Sequence, residues 1–350
     1  HAPRECARVV SAPRQRKSQL MPILQTMLTD GRRITINARR ESTVLMENDD
    51  TTFTFDYEGR LIGAYLDGRN YRRSLANAML EKSGGEISGL ASRVRRFLTR
   101  DEIQLIEIRA YEFGHALIPK IIELRARHAE RGEDPAALDA AAAALERLQH
   151  YDFARLEQER LEFARVYQPV TILPPDQYLA LYLQATEGCS FNACTFCGFY
   201  RDRRFHVKSL AEFREHILRV RAFFGGGLSY RRSIFLGDAN ALMLPQTHLV
   251  PLFDAINAEF AIAPRALPPA DPHAWDAAHP IHFGGIYSFI DAYATRRKTA
   301  RDFLQLAGRG LRRVYLGLES GAPELLRFLG KPNTPADAQR LVEQLKLAGV

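Results

Sequence analysis

From Tyr178 onward the chain alternates strand and helix, and that rhythm constrains its fold more than any other feature. The apolar run Tyr178–Ala185 reads as a first strand, and Leu210–Phe224, closed by Gly225-Gly226-Gly227, as the helix that follows. Ser233–Leu236 and a helix from about Thr247 to Phe260 form the next unit. A strand within Ile281–Phe289 precedes a helix over Thr299–Ala307, and Val314–Leu318 precedes one over Ala336–Leu347. Repeated βα units predict a parallel sheet or barrel, with functional groups just past the C-terminal ends of the strands. The chain stops at Gly349-Val350, where a fifth strand is expected, so the expected fold is α/β with a partial (βα)n barrel.

Pro169 and Pro174-Pro175 mark a linker before this repeat. The expected division is a basic tail over 1–30, an α+β region over 31–170 and the barrel over 171–350. Alternation in Arg33–Asn37 and Thr52–Asp56, a Glu58-Gly59 turn and the run Leu61–Leu66 predict a β-hairpin region. A helical hairpin follows. Ile103, Ile106, Ala110, Phe113, Leu117, Ile121 and Leu124 form one apolar seam, which Pro119 is expected to kink. Gly132 ends that helix, and Asp134-Pro135 starts a second one running to about Val166.

The net charge of +7 is modest for 350 residues. Arg14-Gln15-Arg16-Lys17, Arg32-Arg33, Arg39-Arg40, Arg72-Arg73 and Arg201 with Arg203-Arg204 are basic clusters, each of which taken alone reads as solvated surface. No aromatic-interleaved signature accompanies them, so nothing beyond the clusters argues for a nucleic-acid partner. No apolar stretch approaches a membrane span, and the start lacks the layout of a secretion signal. A cytoplasmic, reducing location is expected.

Cys189, Cys194 and Cys197 are three of the four cysteines, all within nine residues just past the first strand. That density suits metal ligation better than a disulfide framework. Zinc or an ordinary ferredoxin cluster calls for a fourth protein ligand, whereas three thiolates on a four-iron cube leave one iron open. His206 supplies the alternative, a Cys₃His zinc site in a nucleic-acid-binding module.

Three clustered cysteines with Phe196 immediately before the last resemble the signature of the radical SAM superfamily. Four residues separate Cys189 from Cys194, a Cx4CxxC variant of the commoner three-residue spacing. The order Gly188, Cys189, Asn192, Cys194, Thr195, Phe196, Cys197 is similar to the branch holding oxygen-independent coproporphyrinogen oxidase and elongator-type enzymes. The resemblance covers residues 178–350. It implies a [4Fe–4S] cluster on the three thiolates, S-adenosylmethionine (SAM) on the open iron, and a reducing donor of the flavodoxin or ferredoxin type. It further implies reductive cleavage of SAM to a 5′-deoxyadenosyl radical that abstracts hydrogen from a substrate.

Further positions follow from the same resemblance. Gly237-Asp238-Ala239 stands where the family places a glycine-rich segment against the methionine ammonium, but departs from the usual Gly-Gly-Glu. Asp238 would offer a carboxylate there, or serve as a turn residue. Glu319, with Ser320 beside it, matches the acidic position that contacts the ribose hydroxyls, and Ser288 is a secondary candidate nearby. Retained cysteines argue against a non-catalytic scaffold of this fold, while Gly237-Asp238-Ala239 argues for it. With only Cys6 outside the triad, the chain lacks the thiolates for an auxiliary cluster. Gly84-Gly85-Glu86 reads as a chance match, and Glu112-x-x-His115 as ordinary helix surface. Asp271-x-His273 resembles part of a cobalamin motif but lacks its glycine, position 276 being Asp.

Overall fold

A computed structural model of the chain describes residues 23–350, apart from 29, 88–89, 132–134 and 266–271. Cys6, the basic cluster at Arg14–Lys17, Gly132, Asp134 and Asp271 lie outside the described residues.

The N-terminal region is a full antiparallel sheet where the sequence suggested a hairpin. Eight strands pair in chain order: β1 (Leu24–Met27), β2 (Arg33–Ala38), β3 (Ser42–Glu47), β4 (Thr51–Asp56), β5 (Leu61–Leu66), β6 (Arg69–Arg73), β7 (Met79–Ile87) and β8 (Leu90–Phe97). The first strand therefore lies within the stretch read as a basic tail. Local turn chemistry explains the additional strands. Asp67 and Gly68 both adopt positive φ (51° and 75°), as a two-residue hairpin turn between β5 and β6 requires. Gly84–Glu86 falls inside β7 of this sheet.

Alternation sends Ile34, Ile36, Leu45, Phe53 and Phe55 to one face, where they meet Ile103, Ala110, Leu117 and Ile121 of α1 (Arg100–Arg131). That helix runs unbroken through Pro119. The second expected helix is two: α2 (Ala136–Leu148) and α3 (Phe153–Val166). Asp152 divides them, its side chain accepting from Arg155 N at 2.7 Å as an N-cap. The helix α3 serves both halves of the chain. Its Leu156 packs into the N-terminal core, while Phe163 and Val166 pack against the core that follows.

That second core surrounds four parallel strands in the order β9 (Ala180–Gln184), β12 (Ser233–Gly237), β13 (Ile286–Ile290) and β14 (Leu311–Leu316). A small ribbon, β10 (Thr186–Glu187) with β11 (His206–Val207), flanks the cysteine loop. Helices α4 (Leu210–Phe224), α5 (Gln246–Glu259), α7 (Ala300–Ala307) and α9 (Pro335–Leu347) supply Phe213, Leu252, Phe303 and Leu341 to the core; α6 (Pro272–Ala278) and α8 (Pro323–Phe328) are shorter. The predicted βα order holds. Ser209 and Thr299 form capping boxes at the starts of α4 and α7.

A buried ion cluster joins the two cores. Arg60, 4 % exposed, donates to Glu159 at 2.9 Å and Asp56 at 3.2 Å, and reaches the carbonyls of Phe223 (2.6 Å) and Phe224 (3.3 Å) at the end of α4. Tyr151 donates to Glu159 at 2.8 Å, and Glu58 accepts from Gly226 N. A Cβ at Gly226 would overlap the Tyr57 ring, so the glycine permits the close approach. Burial acts against the Arg60 charge, and Asp56 and Glu159 overrule it. Arg60→Ala would leave Asp56 buried without its cation and Glu159 with only Arg155, 3.6 Å away. It should lower unfolding free energy by about 3–5 kcal/mol, read as a fall in the urea midpoint.

Candidate functional site

The cysteine loop begins one turn past β9, at the C-terminal end of the parallel sheet. Its entry is fixed by Asp238, which is wholly buried just after β12. One carboxylate oxygen accepts from Tyr182 Oη at 2.8 Å and the other from Gly188 N at 3.0 Å, while Asp238 N donates to Thr186 Oγ1 at 3.0 Å. Arg203 stands 3.8 Å from the same carboxylate. Burial raises the Asp238 pKa, against the pull of these donors and of Arg203. Asp238 thus ties β9, β10 and the end of β12 to the residue before Cys189, and both its oxygens face protein donors. Gly237 is equally constrained, because a Cβ there would overlap the Tyr182 hydroxyl.

Within the loop, Asn192 takes a left-handed φ of 45° and points its backbone N–H at Cys189 Sγ, 3.3 Å away. Its side-chain amide donates to Tyr200 O at 3.0 Å. Cys197 N donates to Cys194 O at 3.3 Å, tightening the second half. The far side of the loop rests on α8: Thr195 N donates to Leu329 O at 3.0 Å, and its hydroxyl reaches Phe328 O at 3.3 Å. All three thiols are unpaired and partly exposed. Phe196 (53 % exposed), Phe199 and Phe191, in and next to the same loop, are exposed rings.

Glu319 reaches the same neighbourhood from beyond β14. It takes a left-handed φ of 55°, and Lys331 Nζ lies 3.1 Å from its carboxylate and 3.5 Å from Asp291. Lys331 is almost completely buried; desolvation acts to lower its pKa, but Asp291 and Glu319 carry it above the ordinary value, so it is an ammonium. Its charge also acts on Cys194. Burial pushes the Cys194 thiol up, Lys331 pulls it down, and Cys189 and Cys197 push it up again. The three thiols therefore feel one another. Among the described residues they are not closed into a cluster of three metal-ligating side chains.

The structure sets Cys189, Cys197, Glu319 and Lys331 near enough to Cys194 to act on its charge, while Asp238 holds the loop entry at Gly188. Ser320 Oγ accepts from Ala322 N at 3.0 Å and shapes the turn behind Glu319. Ser288 is fully buried, donating to Leu236 O at 2.7 Å, and stays in the sheet. His206 sits 3.4 Å from Glu212, where α4 engages it. His115 meets Leu148 O at 3.0 Å, at the helix packing of the N-terminal core. Arg203 is no solvated cation: its side chain is 10 % exposed, spans Pro169 O and Asp202, and lies 5.7 Å over the Tyr200 ring. Arg201 reaches Cys194 O at 3.4 Å. Sequence reasoning missed Tyr182 and Lys331. An inward tyrosine in a strand and a lysine after a helix carry no motif, and only the fold sets them beside the loop.

Residues 183–350 match the family model of the Radical SAM superfamily. No curated protein matches the chain.

His216 of α4 anchors the strand that leads into the loop, its Nε2 accepting from Gln184 N at 3.0 Å. Burial lowers its pKa to about 3, helped by Lys208 and Arg219. The unfolded chain therefore binds a proton near pH 6.5 that the folded one refuses. Stability should fall as pH drops below about 6.5 and continue falling towards about 3. Urea titrations across that range should show a shallower slope in His216→Gln.

Proposed function

From a radical SAM superfamily domain over residues 183–350, we propose that this chain is a radical SAM enzyme. The observation that carries the proposal is the placement of Cys189, Cys194 and Cys197 past the first strand, with Glu319 and Lys331 meeting them from past the fourth.

Three thiols are the number of donors that a [4Fe–4S] cluster with one open iron calls for, and they would have to draw closer together to hold it. Three unpaired thiols share one loop, a backbone N–H is aimed at Cys189 Sγ, and a buried ammonium sits beside Cys194. Such positive partners favour the thiolate, although at Cys194 burial outweighs Lys331 and the thiol's pKa stays raised. Cys189, Cys194 and Cys197 would hold the cluster, which when reduced and bound to SAM supplies the electron that cleaves the sulfonium and yields a 5′-deoxyadenosyl radical for hydrogen abstraction.

This chain's residues supply placement and charge. Glu319 would accept from the ribose hydroxyls, with Lys331 holding its carboxylate in position. Asp238 would act through the loop, since it holds Gly188 and so the entry to Cys189. Phe196 and its aromatic neighbours would exclude water at the mouth. The order of loop residues supports the branch that resembles coproporphyrinogen oxidase and elongator-type enzymes, with the Cx4CxxC spacing as a variant. A flavodoxin- or ferredoxin-type donor in a reducing cytoplasm completes the proposal. Among the described residues no helix is long and apolar enough to cross a membrane.

Anaerobic reconstitution with iron and sulfide should give iron–sulfur absorption near four irons per chain, and 5′-deoxyadenosine on reduction with SAM. Cys189→Ala, Cys194→Ala and Cys197→Ala should each abolish the absorption, and Cys6→Ala should not. One zinc per chain with no absorption would establish the Cys₃His reading; a cluster that never yields 5′-deoxyadenosine would establish a non-catalytic scaffold. Glu319→Ala should weaken SAM binding about tenfold, the loss of one charged hydrogen bond, in equilibrium dialysis.

A further inference from the structure

Among the residues whose side chains are described, the outward face of the N-terminal sheet carries cations without acids across β5 to β8. Strand pairing sets Tyr65, Asn70, Lys82 and Arg95 side by side in one row across β5 to β8. The adjacent row places Arg72, Leu80 and Phe97 across β6 to β8. Through β2 to β4 the two rows continue as Thr, Asn, Val and Met, with no Asp or Glu. The described acids beside these cations point the other way. Glu81 takes up Arg96 at 2.8 Å and Arg69 at 3.6 Å, and Arg73 is buried against Glu107 at 3.1 Å. Among the described residues no carboxylate lies within ion-pair distance of Arg72, Lys82 or Arg95.

Lys82 and Arg95 are direct cross-strand partners. Like charges directly opposed destabilise a sheet, and Arg72 adds a third on the diagonal, roughly 7–8 Å away. An ordinary solvated face relieves this with interspersed acids. Rings flank the cations. Phe97 is 73 % exposed beside Arg95's row, and Tyr65 is half-buried three strands away. Cations supply phosphate contacts, exposed rings supply base stacking, and an open sheet face accommodates splayed bases.

We propose that this outward face binds single-stranded nucleic acid, with Arg72, Lys82 and Arg95 on phosphates and Phe97 and Tyr65 against bases. The proposal is independent of the cysteine site. Anisotropy of labelled 12-nucleotide oligo-U and oligo-dT with the full chain, between 50 and 200 mM salt, tests it. The slope of log K against log salt should be about −2, three neutralised phosphates on a single strand. Combined Arg72→Ala, Lys82→Ala and Arg95→Ala should weaken binding more than tenfold at 50 mM salt without lowering the thermal midpoint. Phe97→Ala should weaken it about fivefold with the slope unchanged, and Tyr65→Ala should do likewise. Wild-type affinity in the triple variant would overturn the proposal, as would no effect of either ring. So would displacement of the oligomer by polyglutamate or phosphatidylserine vesicles at equal charge, which would identify a generic anion surface.

Discussion

The candidate site hangs on one buried carboxylate. Asp238 is fully enclosed, and each oxygen serves a different part of the structure: Tyr182 from the inner surface of the sheet, and Gly188 from the loop that carries the thiols. A buried carboxylate is tolerated only where donors surround it. Here the donors are the pieces that must be aligned, so the desolvation penalty is offset by the contacts that orient the cysteine loop. The α8 end holds the other side through Thr195, leaving the thiols on a loop pinned at both flanks.

The same economy joins the two halves of the chain. Arg60 lies in the turn between β4 and β5, yet two of its acceptors are carbonyls at the end of α4, the first helix of the parallel repeat. Helix ends leave such carbonyls unsatisfied, and a guanidinium is well suited to them. The helix α3, with side chains in both cores, makes the junction apolar as well as ionic. Directional and non-directional contacts thus meet at one seam.

Much of the parallel repeat was legible because each of its units is periodic and bounded by Gly, Pro or a cap; Leu210–Phe224 appears with those bounds. The N-terminal sheet was less so. Asp67-Gly68 is a strong hairpin signal that went unread, whereas Arg69–Arg73 and Leu90–Phe97 are so rich in arginine that no apolar alternation marks them as strands. The continuous helical pattern over 135–166 concealed a break, because Asp152 caps a helix without any Gly or Pro beside it. At the site, the spacing of the three cysteines was plain in the sequence, and Glu319 was singled out only by the resemblance. The occupations of Asp238 and Ser288 were not plain there, since a carboxylate or hydroxyl in a strand-end turn looks alike whether it faces a ligand or the backbone.

Gly237 and Tyr182 have a consequence for how this sequence can vary. The phenol occupies the volume that any side chain at 237 would need, and its hydroxyl proton is directed to Asp238. The three positions are therefore one unit of substitution, although 182 lies on a different strand from the others. A phenylalanine at 182 would strip Asp238 of a donor, and a shorter side chain there would open a void beside Gly237. Drift at any one of them is permitted only in step with the other two, so the unusual segment after β12 and the tyrosine of β9 are expected to be inherited together.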